Sequence, residues 1–170
     1  MEGSLLAFSC LVLGRRFGSR WALAHVDLDV GRGESLLLAG ANGSGKTTLL
    51  RVLAGLSRPS AGEVTIFGLV PQYDRLACRR RVAMVSHRSY LYDRLSAVEM
   101  LRVWARLCER ELDTDDLHAL LEEVALGRHR DVPIGGFSAG MRKRLTLLRT
   151  RIERPDVLLL DEPLAALDAA

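Results

Sequence analysis

The stretch GANGSGKTT, Gly40–Thr48, decides the fold of this chain. It satisfies the pattern G-x-x-x-x-G-K-[ST] with Gly40, Gly45, Lys46 and Thr47. Glycines let the backbone turn tightly enough for its N–H groups to point at phosphate oxygens, and a helix that starts here adds its positive end. In such loops the lysine reaches the β- and γ-phosphates and the hydroxyl binds Mg²⁺. The sequence therefore predicts a loop that binds a nucleoside triphosphate.

The flanking sequence suits such a loop. Ser35–Ala39 is a short apolar run that predicts a buried strand before it. A helix is predicted after it, from about Gly45 to Leu56, because Gly55 and Pro59 mark its end. An ordinary glycine-rich turn is the alternative reading, and this context disfavours it. The residues expected to bind the nucleotide phosphates are Gly40, Asn42, Gly43, Ser44, Gly45, Lys46, Thr47 and Thr48.

A second motif, VLLLDEP, places two carboxylates directly after an apolar run, Val157–Leu160. A phosphate-binding loop of this kind works with a strand whose end brings an acid to the metal, and Asp161 suits that role beside Thr47. Glu162 is then free to polarise the water that attacks the γ-phosphate. A capped turn is the alternative for two acids at the end of a buried strand. The two motifs together predict magnesium-dependent hydrolysis of a nucleoside triphosphate.

Composition fits a globular protein of one domain, with 170 residues, 48% apolar and 26% charged. No apolar run is long enough to span a membrane. Of the 24 basic residues only Lys46 and Lys143 are lysine, and the net charge is +3. The arginines are scattered, which favours a solvated surface over a nucleic-acid interface. The three cysteines, Cys10, Cys78 and Cys108, form no close pair and no metal-binding pattern.

Strands and helices alternate along the chain, which predicts an α/β fold with a mixed sheet and flanking helices. Further strands are predicted at Leu5–Leu13, Ala22–Val30, Glu63–Phe67 and Val82–Val85, and further helices over Ser96–Glu109, Asp115–Leu126 and Ser138–Ile152. We expect a single domain over residues 1–170. Its nucleotide-binding core comprises 1–87 and 137–170, and residues 88–136 form a helical subdomain inserted into it.

These motifs, in this order, resemble those of the ATP-binding-cassette (ABC) ATPases over nearly the whole chain. GANGSGKTT resembles the Walker A loop, and LLLDEP resembles the Walker B strand with its catalytic glutamate. FSAGM, Phe137–Met141, resembles the signature LSGGQ, with Ala139 and Met141 as departures. AALD, ending at Asp168, resembles the D-loop, and Phe17 lies where the family has an aromatic side chain that stacks on adenine.

The resemblance implies ATP and Mg²⁺ as cofactors and assigns three further positions. Ser138 and Gly140 would meet the γ-phosphate held by a partner subunit, although Ser138 also reads as an ordinary helix cap. His87 stands where the family has a glutamine that senses the Mg²⁺ and the attacking water. Neutral imidazole can bind metal, so His87 is assigned to the catalytic and metal site, with a surface histidine as the alternative.

The function implied is an ATPase subunit that powers a membrane transporter. It would work with a second ATPase subunit, identical or different, and with separate transmembrane subunits, at the cytoplasmic face of the plasma membrane and without nucleic acid. The phrases SHRSYLYDRLSAVEMLRVWARL and FSAGMRKRL are similar to haem-exporter ATPases of the cytochrome c maturation system. A soluble ABC ATPase of DNA repair or translation is the alternative, disfavoured because the insert is too short for a coiled coil.

Two expectations concern the insert and the end of the chain. Tyr90, Leu91 and Tyr92 are candidate contacts for the transmembrane subunits, or equally core residues. In the family the D-loop is followed by another core strand and a switch histidine, whereas this chain ends at Ala170 with none of its four histidines downstream. We therefore expect a fragment or short form of a chain about 20 to 60 residues longer. Such a form would bind ATP weakly, hydrolyse it slowly or not at all, and tend to aggregate.

Overall fold

The computed structural model describes residues 6–86 and 91–162. These residues divide between two compact units, one within 1–84 and 156–161 and the other within 85–155 and 162–170. The elements in chain order are β1 (Leu6–Phe17), β2 (Arg20–Gly31), α1 (Lys46–Leu53), β3 (Ala61–Ile66), α2 (Arg75–Arg81), β4 (Val82–Val85), α3 (Ala97–Leu107), α4 (Thr114–Glu123), α5 (Ala139–Glu153) and β5 (Val157–Leu160).

The first unit contains an antiparallel three-stranded sheet in the order β2-β1-β3. β1 and β2 form a hairpin in which Phe17 lies opposite Arg20. The register shifts between Cys10 and Leu13, where Val12 has a φ of 50° that is rare for a β-branched residue. The N–H of Val12 donates to Asp27 Oδ1 across the hairpin at 2.6 Å, so the bulge is held by a hydrogen bond.

Helix α1 covers the core of this unit with four buried side chains from its eight residues. The helix is amphipathic because its apolar residues fall on one face, and burying each leucine contributes about 1.5–3 kcal/mol. The buried residues of this core are Ala7, Phe8, Cys10, Leu13, Leu23, Leu49, Leu50, Val52, Leu53, Ala54, Val64, Ile66, Cys78 and Leu159. Burial, aided by Asp29 and Asp27, raises the pKa of the Cys10 thiol to about 11, so this cysteine is a packing residue.

Strands β4 and β5 pair with each other and match their predicted bounds, Val82–Val85 and Val157–Leu160. The expectation that β5 is a buried strand is met only in part. Leu159 is buried, whereas Leu158 and Leu160 are 42% and 40% exposed. Successive side chains of a strand point to opposite faces, and only one face of β5 is covered in the part of the chain that the structure describes.

The predicted buried strand at Ser35–Ala39 is wrong. The segment has no strand conformation, and Leu36 and Leu37 are 48% and 87% exposed. A strand requires a neighbour at hydrogen-bonding distance, and within residues 6–86 and 91–162 no strand pairs with this segment. An apolar run supplies the side chains for burial but not the pairing partner, so the run alone does not make a strand.

The second unit is built from α3, α4 and α5, and the three predicted helices are confirmed within two residues at most ends. Capping boxes start α3 and α4: Ser96 pairs with Glu99, and Asp113 pairs with Asp116. Their apolar faces form one core, which consists of Ala97, Val98, Met100, Leu101, Trp104, Ala105, Leu117, Leu121, Leu126, Ile134, Phe137, Leu145, Leu148 and Ile152.

Helix α2 was not predicted. Its sequence, RLACRRR, carries four arginines and buries only Cys78, so it lacks the apolar stripe by which a helix is found in a sequence. Among the residues that the structure describes, none of the helices has the length and apolar character to cross a membrane.

Candidate nucleotide-binding site

The loop between β2 and α1 turns at glycines in the left-handed region of φ. The φ angles of Gly40, Gly43 and Gly45 are 152°, 81° and 99°, and the N–H of Ser44 donates to Ala41 O across the turn at 3.2 Å. Side chains other than glycine are strained at these angles. The glycines predicted from the motif are therefore the residues on which this backbone path depends.

Gly45 also meets a steric limit. A Cβ atom placed on it would lie 2.6 Å from the carbonyl oxygen of Ala22 and 2.9 Å from Cδ2 of Leu23, both on β2. The loop and the hairpin are thus in direct contact at this point. Because β2 fixes the position of Gly45, it also fixes where α1 begins.

The start of α1 offers its free N–H groups toward an anion. Gly45 occupies the N-cap position without a side-chain cap, and the first turn of α1 contains no acidic residue. The first N–H groups of a helix have no intrahelical partner and carry partial positive charge. An anionic phosphate is therefore favoured at this end of the helix.

Lys46 places its ammonium group over the same loop. Its Nζ donates to the carbonyl oxygens of Gly40 and Ala41 at 2.8 and 2.9 Å. The lysine stem thus folds back along the loop rather than extending into solvent. The geometry puts a mobile positive charge beside the N–H groups, which is the arrangement that phosphate oxygens need.

Thr47 and Asp161 meet although 114 residues separate them in sequence. The hydroxyl of Thr47 donates to Asp161 Oδ1 at 2.9 Å, and Asp161 is 8% exposed. A hydroxyl and a carboxylate are hard oxygen ligands, and Mg²⁺ is commonly bound by one or two carboxylates together with substrate phosphates and water. The described residues contain no cluster of three or more His, Cys, Asp or Glu that could hold a metal alone. The site therefore fits Mg²⁺ that arrives with the phosphates.

Glu162, the residue after Asp161, has a positive φ angle. Its φ is 52°, and its carbonyl oxygen accepts a hydrogen bond at 3.4 Å from Nζ of Lys143, which is only 8% exposed. Such angles are rare outside glycine and persist where surrounding contacts hold them. Lys143, one of the two lysines of the chain, was not predicted to contact Glu162.

Ser138 caps α5. Its Oγ accepts a hydrogen bond from the N–H of Met141 at 3.2 Å, and its neighbour Phe137 is buried in the helical core. The first turn of α5 has no acidic residue, and Gly140 lies within it. Arg142, at the end of that turn, forms an ion pair with Asp93 at 2.8 Å. The capping role is confirmed, and the first turn of α5 itself contributes no acidic residue.

Phe17 lies at the end of β1 with 55% of its surface exposed. The guanidinium of Arg15 lies 4.6 Å from the centre of its ring. Arg15 is the cross-strand partner of Leu23, the side chain that touches the position of Gly45. An exposed aromatic ring therefore lies on the hairpin whose second strand contacts the phosphate loop.

Two predicted site residues, His87 and Asp168, lie outside the described residues, as does Tyr90. Within the first unit the structure brings together the glycine loop, Lys46, Thr47 and Asp161. Ser138 and Gly140 belong to the second unit.

A sequence model of the family described as ABC transporter matches residues 23–165 of the chain. The chain belongs to the ABC transporter family. The prediction of a P-loop ATPase core of ABC type is confirmed by this match, which includes the glycine loop, the signature and the Asp161–Glu162 pair. The family could be predicted from the sequence because each of its motifs is formed by neighbouring residues.

Known members of the ABC transporter family resemble the chain over most of its length. It is 40% identical over 151 residues to the cytochrome c biogenesis ATP-binding export protein CcmA of Methylococcus capsulatus, covering 89% of this chain and 73% of that protein. It is 36% identical over 169 residues to the Nod factor export ATP-binding protein I of Ralstonia nicotianae, covering 98% of this chain but 52% of that protein. An ATP-binding cassette solved as a dimer bound to ADP and Pi has a TM-score of 0.82 at 24% identity, over 95% of this chain and 76% of that one.

The contact between Gly45 and β2 gives a test of the loop. We expect Gly45→Ala to lower the free energy of unfolding by about 2–5 kcal/mol, because a positive φ costs about 1–2 kcal/mol and the overpacked Cβ about 1–3 more. Gly43→Ala is the matched control, since φ is also positive there but no atom lies within 4 Å of the added Cβ. Urea unfolding followed by circular dichroism measures both. Equal losses in the two variants would contradict the packing of the loop against Ala22.

Proposed function

We propose that the chain is the ATP-binding and ATP-hydrolysing subunit of an ABC exporter of the cytochrome c biogenesis type. The observation that carries the proposal is the hydrogen bond between Thr47 and Asp161, which joins the start of α1 to the end of β5 beneath the phosphate loop. It assembles, from distant parts of the chain, the hydroxyl and carboxylate that Mg-ATP requires.

In this proposal ATP binds with its phosphates over the N-terminal end of α1. The N–H groups from Gly40 to Thr48 donate to phosphate oxygens, and Lys46 exchanges its two carbonyl contacts for the β- and γ-phosphates. Thr47 and Asp161 hold Mg²⁺, which when bound neutralises charge on the phosphates and lowers the barrier to their transfer.

Hydrolysis requires a group that orients and polarises water, and Glu162 is assigned to it. Its backbone is held through the carbonyl contact with Lys143, so its side chain leaves the chain at a defined point beside Asp161. His87 is proposed to contact the metal and the water, and Asp168 to contact the nucleotide across a subunit boundary. Both assignments rest on the family resemblance of their positions.

The site is proposed to be completed by a second ATPase subunit, identical or different. Ser138 and Gly140 at the start of α5 would meet the γ-phosphate bound by that partner, because the first turn of α5 contains no acidic residue and its side-chain cap is the neutral hydroxyl of Ser138. The dimer bound to ADP and Pi, to which the fold is similar, supports this reading.

The domain organisation that we propose is a core of residues 1–87 and 137–170 with a helical subdomain at 88–136. Separate transmembrane subunits would dock on the subdomain and hold the protein at the cytoplasmic face of the plasma membrane. Tyr92 is 65% exposed and suits such a contact, whereas Leu91 packs partly into the helical core. Similarity to CcmA supports export in cytochrome c biogenesis, with haem as the cargo that the resemblance implies.

Lys46 gives the direct test of nucleotide binding. We expect Lys46→Ala to weaken Mg-ATP binding by at least about tenfold, since each charge-assisted hydrogen bond contributes about 1.5–3 kcal/mol. Arg51→Ala is the control, because it removes an exposed cation from the same helix without touching the loop. Isothermal titration calorimetry measures both. If Lys46→Ala bound Mg-ATP as tightly as the parent chain, the assignment of the loop would be wrong.

Glu162 gives the test of hydrolysis and dimerisation. We expect Glu162→Gln to bind ATP but not to cleave it, so that a dimer with two nucleotides between its subunits accumulates. Light scattering with ATP present measures the mass, and Glu63→Gln on the exposed part of β3 serves as the isosteric control. A variant that stays monomeric at every ATP concentration, while the parent dimerises, would count against the proposed shared site.

The transporter assignment is tested by purifying the tagged chain from detergent-solubilised membranes of cells that express it. We expect an integral membrane protein to remain bound, and the complex to lose ATP hydrolysis when Lys46 is replaced by alanine. A chain that hydrolyses ATP but never retains a membrane protein would support the soluble ABC ATPase instead.

A further inference from the structure

Arg15 makes an unusual set of contacts at the end of the β1–β2 hairpin. Its guanidinium lies 4.6 Å from the centre of the Phe17 ring, and its Nη1 donates to the carbonyl oxygen of Arg58 at 2.9 Å. Its Nε is buried without a hydrogen-bond partner. Burying an unpaired donor of a charged group costs free energy, so the position of Arg15 needs a compensating interaction.

The ring of Phe17 supplies that interaction. An aromatic face carries negative potential, and a guanidinium within about 6 Å of the ring centre is attracted to it. Arg15 is half-buried and lies over the ring, while 55% of the Phe17 surface stays exposed. The exposed surface of the ring remains available for stacking.

The pair lies on the hairpin whose second strand contacts the phosphate loop. Arg15 is the cross-strand partner of Leu23, and Leu23 Cδ2 lies 2.9 Å from where a Cβ of Gly45 would be. Through these two contacts the positions of Arg15 and Phe17 depend on the same strand that fixes the start of α1. A nucleotide whose phosphates lie on the loop would have its base within reach of this end of the hairpin.

We propose that Arg15 is a positioning residue for nucleobase binding: its guanidinium covers one face of the Phe17 ring and so fixes the other face as the stacking platform for a purine. This inference rests on the proposed function, because it takes the loop as the phosphate site. A cation behind the ring draws electron density from it and holds its orientation, and both effects strengthen stacking with a neutral purine.

A neighbouring pair in the same hairpin provides a matched control. The guanidinium of Arg16 lies 5.5 Å from the centre of the Trp21 ring, so the same kind of contact exists one residue away. The ring of Trp21 packs over Gly14, since its Cζ3 lies 2.9 Å from where a Cβ of Gly14 would be. Replacing Arg16 therefore removes a similar cation–π contact, but the aromatic ring concerned, that of Trp21, packs against β1.

The experiment compares binding of Mg-ATP and of magnesium tripolyphosphate, which has the phosphates without ribose and base, by isothermal titration calorimetry. We expect Arg15→Met to weaken ATP binding by about three- to tenfold, the range of a cation–π contact, and to leave tripolyphosphate binding unchanged. Arg16→Met should change neither. Arg15→Lys should recover part of the affinity, because it keeps the charge but not the planar stack.

The other outcomes overturn the inference. If Arg15→Met left ATP binding unchanged, the stack would have no role in base binding; if it weakened ATP and tripolyphosphate equally, Arg15 would be structural only. Equal losses in Arg15→Met and Arg16→Met would show a general effect on the hairpin. Failure of the proposed function would look different. The parent chain would then bind neither ATP nor tripolyphosphate, or Lys46→Ala would leave the binding of both ligands unchanged. In that case the inference would be wrong as well.

Discussion

The hydrogen bond between Thr47 and Asp161 is the contact on which the rest of the candidate site depends. It closes a loop of more than a hundred residues and joins the first turn of α1 to the end of β5. Asp161 is nearly buried, and a buried carboxylate needs partners that satisfy it. The need to satisfy this one group therefore holds two distant segments at the same place. Glu162 is positioned as a consequence, since it is the next residue along the chain.

The N-terminal turns of the helices that carry the nucleotide motifs differ in charge from those of the other two long helices. Helices α3 and α4 satisfy their first N–H groups with capping boxes, and the acids Glu99 and Asp116 lie in their first turns. Helices α1 and α5, which carry the two nucleotide motifs, have no acid in the first turn. A carboxylate there would neutralise the positive helix end and repel phosphate. The starts of α3 and α4 thus carry acidic capping boxes, whereas α1 has no side-chain cap and α5 is capped by the neutral hydroxyl of Ser138.

The sequence predicted the loop, the Asp161–Glu162 pair and the α5 cap because each is encoded by neighbouring residues. The strand expected at Ser35–Ala39 failed, and the burial expected of β5 was met only in part, for a different reason, since pairing and burial depend on what other segments supply. Helix α2 was not predicted because it buries only Cys78 and its four arginines leave no apolar stripe in the sequence. No role was predicted for Arg15, because its contacts with the Phe17 ring and the carbonyl oxygen of Arg58 depend on the three-dimensional arrangement and not on residue type.

The two lysines show why residue type still matters in a chain that otherwise uses arginine. Lys143 is buried and directs its ammonium group at one carbonyl oxygen, that of Glu162. An arginine there would bury a planar group with five donors and leave most of them unpaired, at a cost that grows with each. Lys46 folds over the glycine loop, where its Nζ contacts two carbonyl oxygens. The compact ammonium group of lysine fits this position better than the planar guanidinium group of arginine would. In both places the compact ammonium group meets backbone carbonyl oxygens, which is the contact that the choice of lysine over arginine serves.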